Sequence, residues 1–162
     1  MKKILILGAG KIGRIAAVML NESGDYAVTL ADANGDMLEF CAQDNAATLV
    51  KVDVTDEAAL TEVALGHDAI LSTCPFYLNV AIARVAGAVG ASYFDVTEDV
   101  ETTRAIREIA EGASSAFVPQ CGLAPGFISI AAHDLFKRFD SVQKLRLRVG
   151  ALPQNPTNRL KY

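Results

Sequence analysis

Short apolar runs alternate with longer segments of helical periodicity along most of the chain. The first run, residues 3–7, ends at a glycine, which is typical of a strand buried on both faces of a parallel sheet. Apolar residues then recur at spacings of three and four, which predicts an amphipathic helix directly after a glycine-rich turn. The predicted packed face of this helix consists of Ile12, Ile15, Ala16, Met19 and Leu20.

The same alternation continues to about residue 121. Further strands are predicted at 27–31, 48–52, 69–72, 92–95 and 116–119. Helices are predicted between them at 37–43, 55–65, 78–89 and 101–111, the second with a hydroxyl cap at Thr55. Strands that alternate with helices require parallel pairing through right-handed crossovers. The pattern therefore predicts an α/β fold with a doubly wound parallel sheet, in the strand order 3-2-1-4-5-6.

The pattern changes at residues 122–126. A helix is predicted at 127–139, and residues 142–149 alternate as in a half-exposed strand, with Leu145, Leu147 and Val149 on one side. We interpret residues 1–121 as a nucleotide-binding domain and residues 122–162 as a connector with the beginning of a second α+β domain.

Composition narrows the class of protein. The chain has 162 residues, 51% of them hydrophobic, and a net charge of −4, which argues against nucleic acid or an anionic membrane as partner. It contains neither a secretory-type leader nor an apolar stretch of about 18 residues, so we expect a cytoplasmic protein. The three cysteines lack metal-type spacing, so we expect reduced thiols and no metal site.

The glycines at 8, 10 and 13 form a Gly-x-Gly-x-x-Gly turn between the first strand and the first helix. Gly8 allows the bend, Gly10 lets a pyrophosphate approach the bare backbone, and Gly13 lets helix and strand pack closely. Free N–H groups at the helix start favour a negative ligand. The residues predicted to bind the pyrophosphate are Gly8, Gly10, Lys11, Ile12 and Gly13. A purely structural turn is the alternative.

Asp32 ends the second predicted strand, close to the interval of about 20 residues at which a carboxylate meets the adenosine ribose. A carboxylate accepts hydrogen bonds from both ribose hydroxyls and repels a 2′-phosphate. Neither Ala33 nor Asn34 supplies a compensating arginine. NAD is therefore favoured over NADP as the cofactor.

Other candidates lie at the carboxyl ends of later strands, where open parallel sheets bind ligands. Asp53 and Val54 are predicted at the adenine edge, although Asp53 equally suits a turn. Thr73 and Pro75 are predicted beside the nicotinamide ribose, with Cys74 a packed thiol.

Asp95 ends an apolar strand on the nicotinamide side. Partial burial would raise its pKa and suit it to proton exchange, and a helix cap is the alternative. His67 is expected to be solvated and His133 to be a surface or core residue. The chain lacks the Tyr/Lys pair of short-chain dehydrogenases and the G-x-S-x-G motif of hydrolases.

Four segments together resemble the saccharopine dehydrogenase-like family, which includes saccharopine reductases, lysine 6-dehydrogenases and carboxynorspermidine dehydrogenases. They are the glycine-rich turn, the Ser-Thr-Cys-Pro-Phe-Tyr loop at 72–77, Tyr-Phe-Asp-Val-Thr at 93–97 and Cys-Gly-Leu-Ala-Pro-Gly at 121–126. Residues 148–156 are similar to the beginning of that family's substrate domain. The resemblance implies a Rossmann NAD(P)-binding domain and a role in the metabolism of lysine or other amino acids. Family members are typically more than twice as long.

The resemblance also implies a reaction and its site. A hydride passes between an amine-bearing carbon and nicotinamide, and water hydrolyses the imine. Tyr77, Asp95 and Cys121 match positions that line the family's active site, with Asp95 the first choice for proton transfer. The residues implied to shape the substrate pocket are Gly122, Leu123, Ala124, Pro125 and Gly126. The complete protein is implied to be a homodimer with a small amino-acid or amine substrate, and this chain alone is expected to be inactive.

Two other classes of function fit parts of the sequence. Residues 4–69 also resemble regulatory NAD-binding modules attached to potassium channels and transporters, which shift a conformational equilibrium without chemistry. A structural or interaction protein with a vestigial nucleotide site is the third possibility, and it would bind no nucleotide.

Overall fold

The computed structural model describes residues 1–43, 47–148 and 150. Strands and helices alternate through this part of the chain. The strands are β1 Lys2–Leu7, β2 Tyr26–Asp32, β3 Thr48–Lys51, β4 Ala69–Ser72, β5 Ser92–Asp95 and β6 Phe117–Val118. The helices are α1 Lys11–Glu22, α2 Gly35–Ala42, α3 Glu57–Ala64, α4 Asn79–Val89, α5 Val100–Ala110 and α6 Phe127–Phe136, with a 3₁₀ turn at Phe76–Leu78.

The strands form one six-stranded parallel sheet in the order β3-β2-β1-β4-β5-β6, which confirms the predicted doubly wound fold. Its centre is β1, whose Leu7 is in register with Ala31 of β2 and Ser72 of β4. The carboxyl ends of these three strands therefore lie at one edge of the sheet, on either side of the point where the strand order reverses. Ligands of such sheets bind outside this edge.

Two apolar cores cover the faces of the sheet. Under α3, α4 and α5 the core includes Leu5, Leu7, Ile70, Ile82 and Tyr93, all fully buried. The smaller core under α1 and α2 includes Ile6, Leu30 and Cys41. Since β1 alternates between the cores, its side chains are buried on both faces, as a central parallel strand requires.

The predicted packed face of α1 is wrong in part. Gly13 and Ala17 are buried, while Ile12, Ile15 and Met19 are 60%, 58% and 65% exposed. Small residues four positions apart let the helix backbone approach the sheet closely, so the larger apolar residues lie to the side. Ile12 lines an open groove beside β1, β4 and β5 instead.

At the N-termini of three helices, a side chain accepts hydrogen bonds from backbone N–H groups, which stabilises the first turn. Asn34 caps α2 and Asp99 caps α5. The cap of α3 is Asp56 and not the predicted Thr55, because the Thr55 hydroxyl donates to the Asp53 carboxylate at 2.7 Å.

The prediction of a strand over residues 142–149 is wrong for the described residues 142–148, where the structure has no strand. An alternating segment forms a strand only beside another strand, and no described strand pairs with it. Val149 and the tail 151–162 lie outside the described residues, and the domain division at residue 121 stays a prediction.

Candidate functional site

A cleft of about 350 Å³ lies at the carboxyl edge of the sheet, between the ends of β1, β2 and β4. It brings together most of the predicted cofactor residues, from segments far apart in sequence. Its lining comprises Gly8, Gly10, Asp32, Ala33, Val52, Asp53, Val54, Thr55, Thr73, Cys74, Pro75 and Leu78. Lys11, Ile12 and Gly13 follow Gly10 as the first residues of α1.

The glycine-rich turn joins β1 to α1 along one wall of this cleft. Gly8 has a φ of 98°, in the left-handed region. A Cβ on Gly13 would lie 1.9 Å from the Gly8 carbonyl oxygen, so close packing of helix and strand excludes every side chain there. A Cβ on Gly10 would meet nothing within 4 Å. The fold therefore requires glycine at 13, whereas the space over Gly10 is open to a ligand.

The head of α1 supplies the polar groups of this wall. The first N–H groups of an α-helix have no partner within the helix, and the positive end of the helix dipole lies behind them. Gly10 precedes the helix without a side-chain cap. This arrangement suits an anion such as a pyrophosphate without a basic side chain.

Asp32 lies at the end of β2, across the turn. Its Oδ2 accepts the Ala9 N–H at 2.7 Å and its Oδ1 accepts the Asn34 N–H at 2.8 Å. The carboxylate therefore fixes the glycine-rich turn as well as lining the cleft. A carboxylate has about four lone-pair sites, so these two bonds leave acceptor capacity for a ribose hydroxyl.

Asp53 lies in the cleft and also organises a turn. Its Oδ1 accepts the N–H and the hydroxyl of Thr55 at 2.9 and 2.7 Å. These hydrogen bonds hold the pKa of the Asp53 carboxyl below its usual value. The position of Asp53 is thus compatible with both predicted roles, contact with the adenine edge and stabilisation of a turn.

The loop after β4 forms the opposite wall. The Thr73 hydroxyl lies 3.0 and 2.9 Å from the carbonyl oxygens of Leu7 and Gly8, so it is directed at the glycine-rich turn. Burial raises the pKa of Cys74 to about 11, which keeps its thiol protonated at neutral pH. The buried Ser72 hydroxyl donates to Asn79 Oδ1 at 2.7 Å and ties this loop to the first turn of α4.

Asp95 differs from the expected partly buried proton exchanger, because its side chain is completely buried. Oδ2 accepts the Tyr93 hydroxyl at 2.9 Å, and Oδ1 accepts the N–H groups of Thr97 and Gln120 at 2.9 and 3.0 Å. Gln120 has a φ of 66°, unusual for a residue other than glycine. Asp95 therefore anchors the backbone that leads to Cys121.

None of the three catalytic candidates is among the residues that line the cleft. Cys121 adjoins Asp95 through its backbone, since its N–H donates to the Asp95 carbonyl at 2.7 Å. Tyr77 is 69% exposed in the 3₁₀ turn before α4. Cys121 is exposed, donates to the Val118 carbonyl at 3.1 Å and borders the groove beside β5. The segment after it folds tightly, since a Cβ on Gly126 would lie 2.1 Å from the Gly122 carbonyl oxygen. Leu123, at 62% exposure, extends outward from this turn, and a cis Ala124–Pro125 bond lies within it.

Sequence reasoning missed three contacts around the site: Thr73 with the glycine-rich turn, Ser72 with Asn79, and Tyr93 with Asp95. Only the last had a signal, because residues two apart on a strand face the same side. Burial and the Asp95 carboxylate raise the pKa of the Tyr93 hydroxyl well above its usual value, so this hydroxyl stays a donor.

His67 is partly buried, and not fully solvated as predicted. Its Nε2 lies 3.0 Å from the Thr29 hydroxyl, and Nδ1 is buried without a hydrogen-bond partner among the described residues. Burial is the main cause of a lowered pKa for this imidazole. His133 is exposed on α6. None of the described helices has both the length and the apolar character needed to cross a bilayer.

A protein-family model matches most of the chain. Residues 4–118 match the saccharopine dehydrogenase NADP-binding domain. This match covers the sheet from Ile4 in β1 to Val118 in β6, together with the glycine-rich turn and the residues that line the cleft.

Solved structures share the fold. An apo saccharopine dehydrogenase (L-Glu forming) from Saccharomyces cerevisiae superposes with a TM-score of 0.77 at 21% identity, over 85% of this chain and 31% of the yeast chain. A myo-inositol dehydrogenase from Corynebacterium glutamicum gives 0.63 at 25% identity, over 85% of this chain and 41% of that one. The NAD(P)-binding domain of an exopolyphosphatase-related protein from Archaeoglobus fulgidus gives 0.61 at 18% identity, over 86% of this chain and 100% of that one. The chain thus spans less than half of the two dehydrogenases.

Proposed function

Because the chain belongs to the saccharopine dehydrogenase NADP-binding domain family, we propose that it is the cofactor-binding part of an NAD(P)-dependent oxidoreductase. We propose the C–N bond of an amino acid or amine as the target of the complete enzyme. The observation that carries the proposal is the cleft in which open backbone at Gly10 and the Asp32 carboxylate face the same space. The match does not favour a regulatory module attached to a channel.

The residues present fit a dinucleotide. The space over Gly10 leaves room for a pyrophosphate beside the first N–H groups of α1, which have no partner within the helix and no side-chain cap. Asp32 supplies acceptors for the adenosine ribose, and Asp53 and Val54 border the cleft beyond it. Thr73 and Pro75 form the wall toward the nicotinamide end. When bound, the cofactor accepts or supplies a hydride, and the protein contributes orientation and exclusion of water.

We propose that NAD is bound more tightly than NADP. The matched family is an NADP-binding domain, whereas the Asp32 carboxylate lines the cleft and would repel the 2′-phosphate of an adenosine ribose bound beside it. The support is electrostatic, because two anions in one partly buried site repel each other.

Asp95 is better suited to positioning than to proton transfer in this chain. Its contacts with Tyr93, Thr97 and Gln120 fix the start of the segment that carries Cys121 and Gly122. Tyr77, which is exposed, is the more accessible candidate for contact with substrate. The substrate pocket at 122–126 and the homodimer stay predictions.

A matched pair of glycine variants tests the function. Gly10→Ala adds a methyl group where no atom of the described residues lies within 4 Å, so we expect unchanged folding. NADH affinity should fall about tenfold or more, because the methyl group occupies the space proposed for the pyrophosphate. Gly35→Ala, in α2, also meets nothing within 4 Å and is expected to bind NADH normally. Fluorescence titration measures both. If the unmodified chain binds neither NADH nor NADPH, the proposed function is wrong, and the vestigial-site interpretation is favoured.

A further inference from the structure

The side chain of Thr73, directly after β4, contacts the end of β1 and the turn that follows it. Its Oγ1 lies 3.0 Å from the Leu7 carbonyl oxygen and 2.9 Å from the Gly8 carbonyl oxygen. The Thr73 N–H also donates to the Leu7 carbonyl at 2.9 Å. The hydroxyl has a single proton, which these two carbonyls share.

The hydroxyl also occupies the space that the glycines leave. A Cβ on Gly8 would lie 2.9 Å from Thr73 Oγ1, and a Cβ on Gly13 would lie 2.7 Å from it. Two of the three motif glycines thus make room for this oxygen, in addition to any role toward a ligand. The end of β4 is therefore built against the turn between β1 and α1.

The peptide unit between Gly8 and Ala9 is held from both sides. Its carbonyl oxygen lies 2.9 Å from the Thr73 hydroxyl, and its N–H donates to Asp32 Oδ2 at 2.7 Å. In a planar trans peptide the C=O and N–H point in opposite directions, so two such contacts fix the orientation of the whole plane. Thr73 comes from the end of β4 and Asp32 from the end of β2, on either side of β1.

We propose that Thr73 is a positioning residue for the cofactor: its hydroxyl orients the Gly8–Ala9 peptide so that the following N–H groups, from Gly10 onward, face the pyrophosphate. This inference rests on the proposed function. Gly8, at φ 98°, has no side chain to restrict its backbone. Without the hydroxyl, Asp32 is the one remaining hydrogen-bond partner of this peptide among the described residues, and the turn samples orientations that do not bind the pyrophosphate.

The test compares three variants of the full chain. Thr73→Ala removes the hydroxyl without a steric clash, and Thr73→Ser keeps it. Thr61→Ala is the matched control, because the Thr61 hydroxyl donates to the Glu57 carbonyl at 2.7 Å within α3, away from the cleft. Binding of NADH, ADP-ribose and adenosine is followed by ¹⁵N chemical-shift titration, which also measures millimolar affinities.

Because Thr73→Ala removes one hydrogen bond, we expect it to weaken the binding of NADH and ADP-ribose roughly 3- to 10-fold. The affinity for adenosine should change by less than about twofold, because adenosine lacks the pyrophosphate and does not depend on the oriented N–H groups. Thr73→Ser and Thr61→Ala should bind all three ligands like the unmodified chain.

The outcomes separate the two levels of inference. If the unmodified chain does not bind NADH or ADP-ribose, the proposed function fails. If it binds them and Thr73→Ala binds equally well, the positioning role alone is wrong. An equal loss for adenosine, or failure of Thr73→Ser to retain affinity, also overturns the positioning role, since either indicates a general loosening of the cleft.

Discussion

At the scale of single residues, Asp32 combines two tasks in one carboxylate. It accepts the Ala9 N–H in the turn and lies in the cofactor cleft. We expect Asp32→Ala to weaken the binding of NADH about tenfold or more, because an acceptor for the ribose and an anchor of the turn are lost together. The affinity for NADPH should fall less, since removal of the charge relieves repulsion of its 2′-phosphate.

The ratio of the two affinities, from competitive fluorescence titration, is therefore expected to narrow or reverse. Asp25→Ala, an exposed carboxylate in the loop before β2, should leave the ratio unchanged. An unaltered ratio in Asp32→Ala would show that Asp32 does not distinguish the two cofactors.

His67 predicts a pH dependence of stability. Burial lowers its folded-state pKa, and the backbone of Ala64 and Val63 and the charges of Lys3 and Asp68 modify this only secondarily. The unfolded value is about 6.5, so the neutral ring stabilises the fold fully above that pH. This contribution is lost as the pH falls through 6.5 toward the lower folded-state pKa, because protonation then favours the unfolded chain.

Urea denaturation at two pH values, one above and one below the unfolded-state pKa, measures this loss. His67→Gln should show a smaller loss than the unmodified chain. His133→Gln, which alters the exposed histidine, should retain the full loss. If His67→Gln and the unmodified chain had the same pH dependence of stability, His67 would not be its source.

At the scale of elements, the buried Ser72–Asn79 pair joins β4 to α4. Both residues are at most 1% exposed, and the hydroxyl is the donor to Asn79 Oδ1. Ser72→Ala leaves a buried acceptor without this donor, so we expect a loss of about 1–3 kcal/mol in the free energy of unfolding. Ser23→Ala, at the exposed end of α1, should cost less than about 0.5 kcal/mol, as is usual for surface positions. Equal effects in urea denaturation would argue against a special role for the pair.

Most elements were predictable because buried parallel strands leave short apolar runs between turn residues. The bounds of β4 and β5 agree with the predicted 69–72 and 92–95. The packed face of α1 was not predictable from the sequence. Gly13 and Ala17 determine it by their small size, and they contribute little to hydrophobic periodicity. The segment 142–148 has the alternating pattern of a strand and forms none, since a strand also depends on a neighbouring strand that the local sequence does not specify.

The site divides in the same way. The glycine-rich turn and Asp32 were predictable, because their chemistry follows from local backbone conformation and a fixed sequence interval. The contacts of Thr73 and Asp95 depend on the register between strands, such as Leu7 beside Ser72. Such contacts become visible only when the sheet is assembled.

At the scale of the whole molecule, the cleft draws on β1, β2 and β4 and the loops after them, so a bound ligand links both halves of the sheet. A ligand that binds only the folded chain adds about 2.7 kcal/mol to its stability at 100 times its dissociation constant. We expect NADH to raise the midpoint of thermal unfolding, and NADPH at equal concentration to raise it less. In Gly10→Ala both shifts should be smaller, because the lower affinity reduces the stabilisation that the bound ligand adds. A larger shift with NADPH would overturn the predicted preference for NAD.

The contrast between Gly13 and Gly10 also bears on how this protein can change over generations. At Gly13 any new side chain collides with the Gly8 carbonyl, so selection for a folded chain is enough to keep that glycine. At Gly10 no atom of the described residues lies within 4 Å of an added Cβ, so under the proposed function it is the ligand that preserves this glycine. Under the proposed function, a lineage that no longer needed the cofactor would therefore lose Gly10 before Gly13, and its architecture would survive that loss.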